Sequence, residues 1–183
     1  RDERHEEVRA HLLNDLFLLA EKHQYAGAYT LISSLLTNIK SQRMYMQKAA
    51  ESGSSAGMVA HGLFLCITHH TSVGFQWIQQ GAEAGHEMGM FMTGLSYHFG
   101  TFTPIDYEQA AQWYKMVIEK YNNYYAAINL GVLYADAGCF HSAKKYFTLA
   151  DSVKDKIMED IENFGLKDTL TNLNTCFRLL EFP

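Results

Sequence analysis

Four segments of the chain repeat one another: Tyr45-Met-Gln-Lys-Ala-Ala-Glu-Ser-Gly53, Trp77-Ile-Gln-Gln-Gly-Ala-Glu-Ala-Gly85, Trp113-Tyr-Lys-Met-Val-Ile-Glu-Lys-Tyr121 and Tyr146-Phe-Thr-Leu-Ala-Asp151. Their leading aromatics are 32, 36 and 33 residues apart. A second series keeps nearly the same step. Gly62, Gly94 and Gly131 are spaced by 32 and 37, each inside an apolar run: Gly62-Leu-Phe-Leu65, Gly94-Leu-Ser-Tyr97 and Gly131-Val-Leu-Tyr134. A period of this size, holding two amphipathic helices, restricts the chain to a stack of helical pairs, because one pair cannot bury its own apolar face. We call the glycine-bearing helix of each pair A and the aromatic-bearing helix B. A glycine inside helix A costs about 1 kcal/mol relative to alanine. Its recurrence therefore predicts that another helix passes too close to admit a side chain. The aromatic of helix B is predicted to fill the space between layers.

Hydrophobic periodicity predicts helices over 5–22, 24–37, 40–52, 55–68, 73–84, 87–99, 106–120, 123–136, 140–152 and 166–180. Only Pro104 and Pro183 stand as potential helix breakers, and neither falls inside a predicted helix. The flanks lack the repeat. Val8, Leu12, Leu16, Leu19 and Ala20 share one stripe of the first helix, and Leu166, Leu170, Leu173, Phe177 and Leu180 recur at helical spacing in the last. Both are expected to cap the ends of the stack, residues 1–23 and 153–183, around about four repeats in 24–152, the whole chain forming a single repeat domain. The first repeat is degenerate, since Ala28-Tyr29-Thr30-Leu31 has no glycine at the expected place.

These residues resemble the Sel1-like repeats, relatives of the tetratricopeptide repeats. That pattern is an alanine-rich helix ending in Leu-Gly-x-x-Tyr, a loop with Gly and Asp, then Ala-x-x-Trp-Tyr-x-Lys-Ala-Ala-Glu-x-Gly. Gly94, Tyr97, Gly100, Asp106, Ala110, Trp113 and Tyr114 fall in step with it, and Tyr45 to Gly53 repeats its closing half. His61 and Thr93 depart from it where it has Leu, and Asn122 replaces the closing Gly. The resemblance implies an all-α, right-handed superhelical solenoid of helix-turn-helix repeats with capping helices. It also implies a non-enzymatic module that binds a protein or peptide in its concave groove, as an adaptor, a bacterial effector or a toxin-immunity protein. Relatives with a cysteine pair in each repeat have been linked to penicillin binding. Cys66, Cys139 and Cys176 form no such pairs, so that implication does not transfer.

Charge and hydropathy exclude other classes. A formal net charge of −5 with 15 Lys and Arg leaves no concentrated basic patch, so nucleic acid is not an expected partner. No apolar run approaches the roughly 20 residues a membrane-spanning helix needs, and Arg1-Asp-Glu-Arg-His-Glu-Glu-Val-Arg9 is too charged for a signal peptide. The chain is read as soluble and not membrane-inserted. It starts at Arg1 rather than Met, which suggests that a preceding segment was removed and leaves the compartment open. Three widely spaced cysteines are expected to be thiols rather than a disulfide framework.

No cofactor and no metal is expected. His69-His70 beside Cys66 is the densest group of metal-ligating residues, but adjacent histidines diverge, and no Cys-x-x-Cys or His-x-x-x-His completes a site. No Gly-x-Ser-x-Gly, phosphate-binding glycine loop or His-Glu-x-x-His occurs, so no catalytic residue is assigned. An enzyme built from His69, His70, Glu83 and His98 is the alternative, and needs the fold to bring those groups together. A further alternative is a self-associating module whose groove is filled by its own terminal helix or by a second copy.

In related solenoids helix A lines the inner groove. Helical spacing about each glycine then predicts that Val59, Leu63 and Cys66, Phe91, Leu95 and His98, and Tyr125, Ile128 and Val132 face it. The binding residues expected from this register are Phe91, Leu95, His98, Tyr125, Ile128, Val132, Val59 and Leu63, with Gln112 and Asn129 on the polar rim. The Tyr121-Asn-Asn-Tyr124-Tyr125 turn is a further candidate, because tyrosines beside two turn-forming asparagines suit either a contact surface or a packed tip.

Overall fold

Polar side chains placed ahead of apolar runs divide the chain into helices. The computed structural model describes residues 3–68 and 71–151. Among these residues nine helices follow one another: α1 (Glu3–Lys22), α2 (Ala26–Leu35), α3 (Ile39–Glu51), α4 (Ser55–Ile67), α5 (Thr71–Glu83), α6 (Glu87–Phe99), α7 (Tyr107–Tyr121), α8 (Tyr124–Asp136) and α9 (Phe140–Asp151). Asn38, Ser54, His86, Asp106 and Asn123 each accept a hydrogen bond from a backbone N–H of the helix that follows. Each cap satisfies donors that a helix start would otherwise leave unpaired. Gly100 closes α6 in the left-handed region at φ 68°, where a side chain would be strained. The predicted helices agree within a few residues. The expected helix 166–180 and the cap 153–183, with Cys176, lie outside the described residues, as do His69 and His70.

The helices form one all-α solenoid. After α1 come four antiparallel pairs, α2–α3, α4–α5, α6–α7 and α8–α9, with the even-numbered helix as A. Each helix packs on the one before and after it, and α2 meets α4 and α4 meets α6, so consecutive repeats also touch through their A helices.

Glycine makes the A–B crossing close, as the repeat predicts, but by two different contacts. A Cβ on Gly62 would lie 2.6 Å from the Gly74 carbonyl oxygen, and one on Gly74 would lie 2.6 Å from the Cys66 sulfur and from the Gly62 oxygen. In that pair backbone packs on backbone. In the next two pairs an aromatic ring seats on the glycine: a Cβ on Gly94 would come within 2.8 Å of Tyr114, and one on Gly131 within 2.5 Å of Phe147. The seated ring belongs to the residue after the leading aromatic. Tyr114 and Phe147 are buried, whereas Trp77 and Tyr146 are half-buried and pack edgewise on His61 at 5.7 Å and flat on Tyr134 at 5.7 Å. Trp113 is buried beside Tyr114 in the core formed by α6, α7 and α8.

Small residues close the junctions between repeats. The Val59 methyl group fits over Gly89 of the next repeat as well as Gly81 of its own B partner, and Gly57 lies against Ala49 of the repeat before. At the N-terminal end Leu16 and Ala20 of α1 pack with Ala28, Tyr29 and Ile32 of α2. Val8, Leu12 and Leu19 of the same predicted stripe are exposed, so only its C-terminal half is covered.

Candidate binding face

Each A helix must turn one stripe away from its B partner and from the adjacent repeats. Exposure along α4, α6 and α8 locates that stripe at four positions relative to the glycine: six and two before it, one and five after it. On α4 these are Ala56, Ala60, Leu63 and Ile67; on α6, Met88, Met92, Leu95 and Phe99; on α8, Tyr125, Asn129, Val132 and Asp136. All are half-buried or exposed. Ile67, Met88 and Phe99 are 78%, 53% and 60% exposed, a high figure for large apolar side chains of a folded chain.

The register expected from sequence is displaced by a fraction of a turn. Leu63, Leu95, Val132 and Tyr125 fall on the stripe. Phe91 and Ile128 are half-buried on its border, packed against the core, with the Phe91 ring 6.1 Å from that of Tyr114. Val59, Cys66 and His98 are buried. The cause lies in the neighbours: the side three residues before and four after the glycine turns toward the helix's own B partner, where Val59 packs on Gly81, Cys66 on Gly74 and His98 on Tyr114, and Val59 reaches Gly89 of the next repeat as well. Of the two rim residues, Asn129 is on the stripe and donates to the Tyr125 carbonyl oxygen at 2.8 Å, while Gln112 is exposed on α7.

The asparagine-tyrosine turn is a structural tip. Tyr121 donates from its hydroxyl to the Gly85 carbonyl, Asn122 closes α7 in the left-handed region at φ 51°, and Asn123 caps α8 while donating to Glu87 at 2.8 Å. Successive B–A turns are thereby tied together. Glu83 lies at this edge, at the C-terminal end of a B helix, whereas His98 lies at the C-terminal end of an A helix, so the antiparallel pairing holds them at opposite edges.

At the A–B loop edge the stripe ends in a cavity of about 420 Å³, which the sequence reading did not anticipate. Phe99, Ile105, Tyr107, Leu133 and Asp136 line it, with His98 at its wall. The Tyr114 hydroxyl pairs with His98 Nδ1 at 3.2 Å, and the imidazole stacks on Phe99 with ring centres 4.2 Å apart. Burial lowers the His98 pKa, and the Asp136 charge opposes that shift in part. Burial also raises the Tyr114 pKa far beyond the ordinary phenol, so that hydroxyl is a neutral partner. Repeats aligned on their glycines would have shown Ile67 and Phe99 as equivalents at the end of helix A, and alignment on the leading aromatics would have shown Tyr107 and Phe140 as equivalents at the start of helix B.

The described residues contain no group of three His, Cys, Asp or Glu side chains placed to hold a metal ion, and no helix long and apolar enough to cross a membrane. Cys66 is a buried thiol and Cys139 an exposed one. Burial pushes the Cys66 thiol up, away from the reactive thiolate.

No family model matches the sequence, and no curated protein matches it. Solved structures do. A Sel1 repeat protein from Oxalobacter formigenes superposes with a TM-score of 0.62 at 23% identity over 73% of this chain and 61% of its own. A protective antigen of uropathogenic Escherichia coli with an SLR fold gives 0.66 at 20% identity, over 92% of this chain and 39% of its own. YrrB, described as a TPR protein with an unusual peptide-binding site, gives 0.55 at 16% identity over 89% and 87%. The chain thus spans about three fifths of the first structure and two fifths of the second. Its fold is the Sel1-like, tetratricopeptide-related repeat solenoid.

Proposed function

We propose that the chain is a non-catalytic module that binds a protein or peptide along the inner face of its A helices. One observation carries this reading. Three consecutive A helices present apolar side chains at equivalent positions, from Leu63 and Ile67 through Met88, Met92, Leu95 and Phe99 to Tyr125 and Val132, and these stay partly or largely open to water. A contiguous apolar strip of this kind marks an interaction surface on a soluble protein. Phe91 and Ile128 flank the strip, and Val59 and His98 support it from beneath. The fold likeness to a tetratricopeptide protein described as having a peptide-binding site agrees with this reading. Catalysis by Glu83 with His98 is disfavoured, because the two stand at opposite edges of the stack.

The test is panning of a random-peptide display library on the immobilised chain and on a Met88→Gln, Leu95→Gln, Tyr125→Gln variant with unchanged circular dichroism. Wild type is expected to enrich a family of apolar peptides that the variant loses. Equal enrichment by both proteins removes the inner-face model. The adaptor, effector and immunity readings then separate by partner number, since an immunity protein has one tight partner and an adaptor several weaker ones.

A further inference from the structure

The cavity at the loop end of the inner face is not a simple apolar cleft. Phe99 and Tyr107, 60% and 57% exposed, provide two aromatic walls, and Leu133 and Ile105 provide an aliphatic floor and rim. Asp136 is the one carboxylate in the lining. No ion pair joins it to any Lys, Arg or His among the described residues. His98, buried and paired with Tyr114, does not supply the missing positive charge. An aromatic-walled pocket with an exposed carboxylate that pairs with no described cation selects a cation carried on an aliphatic stem. A planar guanidinium can stack on a ring while two of its N–H groups meet the carboxylate, a combination an ammonium cannot reproduce.

The loop that builds this pocket is fixed in advance. Asp106 caps α7 through Gln109 N–H at 2.9 Å, and its own N–H donates to the Tyr97 carbonyl at 2.9 Å. Ile105 packs over Gly100, where a Cβ would come within 2.8 Å of it. A rigid pocket loses little freedom when it closes on a ligand.

We propose that this cavity receives an arginine side chain of the bound partner, its guanidinium stacked between Phe99 and Tyr107 and paired with Asp136. The inference deepens the inner-face reading and rests on it for the identity of the partner, but the pocket can be tested alone. The probes are N-acetyl-arginine amide, N-acetyl-lysine amide and N-acetyl-norleucine amide, titrated into the isotope-labelled chain while the His98, Phe99 and Tyr107 ring resonances are followed by NMR. The arginine probe should shift these resonances saturably, with a dissociation constant on the order of 1 mM for so small a ligand. The norleucine probe should bind at least about tenfold more weakly, and Asp136→Asn should weaken the arginine probe about five- to tenfold while leaving norleucine unaffected. Tyr107→Ala should weaken the arginine probe as well.

Equal binding of norleucine and arginine, or indifference of arginine to Asp136→Asn, overturns the proposal. So does an absence of any saturable shift. Equal binding of the lysine probe replaces the stacked guanidinium with a simple cation and overturns the arginine assignment. If arginine binds here while peptide panning recovers nothing, the pocket stands and the extended inner face fails. Peptides recovered without a basic position, together with a silent titration, give the reverse.

Discussion

Replacing Gly94 with alanine sets two opposed effects against each other. Alanine is the better helix former, and in an exposed helix interior the change would stabilise by about 1 kcal/mol. At Gly94 the added methyl carbon would lie 2.8 Å from both Cδ1 and Cε1 of Tyr114 and 3.4 Å from the Trp113 Cβ. Contacts under 3 Å require something to move. Tyr114 is fully buried, and its hydroxyl is held by His98, so the ring cannot swing aside without breaking that pair. Overpacking of a closed core costs about 1–3 kcal/mol. The net expectation is a destabilisation of about 0.5–2 kcal/mol, against the sign that propensity alone gives. Gly27→Ala is the matched control. Its neighbour there is the ring of Tyr25, which is 59% exposed and free to turn outward, so the control should be neutral or stabilised. Urea denaturation followed by circular dichroism reads both variants, with m checked for constancy because repeat arrays can lose cooperativity. A Gly94→Ala midpoint at or above that of wild type refutes the packing argument.

His61→Leu should stabilise. The His61 side chain is buried, and its Nδ1 has no hydrogen-bond partner, a deficit of about 1–3 kcal/mol. Losing the edge contact with Trp77 returns about 0.5–1 kcal/mol, so the urea midpoint should rise by the equivalent of roughly 0.5–2 kcal/mol. Trp113→Ala should cost about 3–5 kcal/mol by opening a cavity in the α6–α8 core, measured in the same way. Stability should also fall in mild acid. Burial lowers the pKa of His61, His86 and His98 in the folded chain below the ordinary 6.5. The unfolded chain therefore takes up these protons first as pH drops through 6.5. The contribution of the neutral rings is complete above that value and is lost progressively down to the lower folded-state values. Urea midpoints measured from neutral pH to about pH 5 should decline, and less so in His61→Leu. A flat profile would contradict the burial of these rings.

The repeat was legible because core positions obey a strict period. Gly62, Gly94 and Gly131 announce themselves by spacing, and each does seat a neighbouring helix. Which atoms occupy the space was not legible. The leading aromatics are the loudest signal in the sequence, yet Ile78, Tyr114 and Phe147, one residue later, fill the crossings. The inner stripe was placed a fraction of a turn away for a related reason. Periodicity marks the direction of greatest hydrophobicity, and on these A helices apolar side chains occupy the packed side and the open side alike. Only contact with Gly81 of its own B partner and Gly89 of the next repeat shows that Val59 belongs to the packed side. The cavity depends on residues from α6, the following loop, the start of α7 and α8, and no local pattern joins Phe99, Tyr107 and Asp136. His86 gave no sequence signal as a cap either, although it stands where Ser54 and Asn123 stand in the neighbouring repeats.

One chain of contacts links core to surface. Gly94 leaves room for the Tyr114 ring, the Tyr114 hydroxyl holds His98, and His98 supports Phe99 by stacking and Tyr107 by an edge contact at 6.1 Å. Phe99 and Tyr107 are the exposed walls of the cavity. Equivalent positions elsewhere carry different residues: Cys66 stands where His98 does one repeat earlier, and Ala135 one repeat later. Neither can stack a ring against its neighbour. The pocket therefore belongs to the junction of the third repeat with α8, although the scaffold beneath it is shared by the neighbouring repeats. Repetition supplies the stack and its open apolar side, and the departure from repetition at His98 supports the aromatic walls at the loop end of α6.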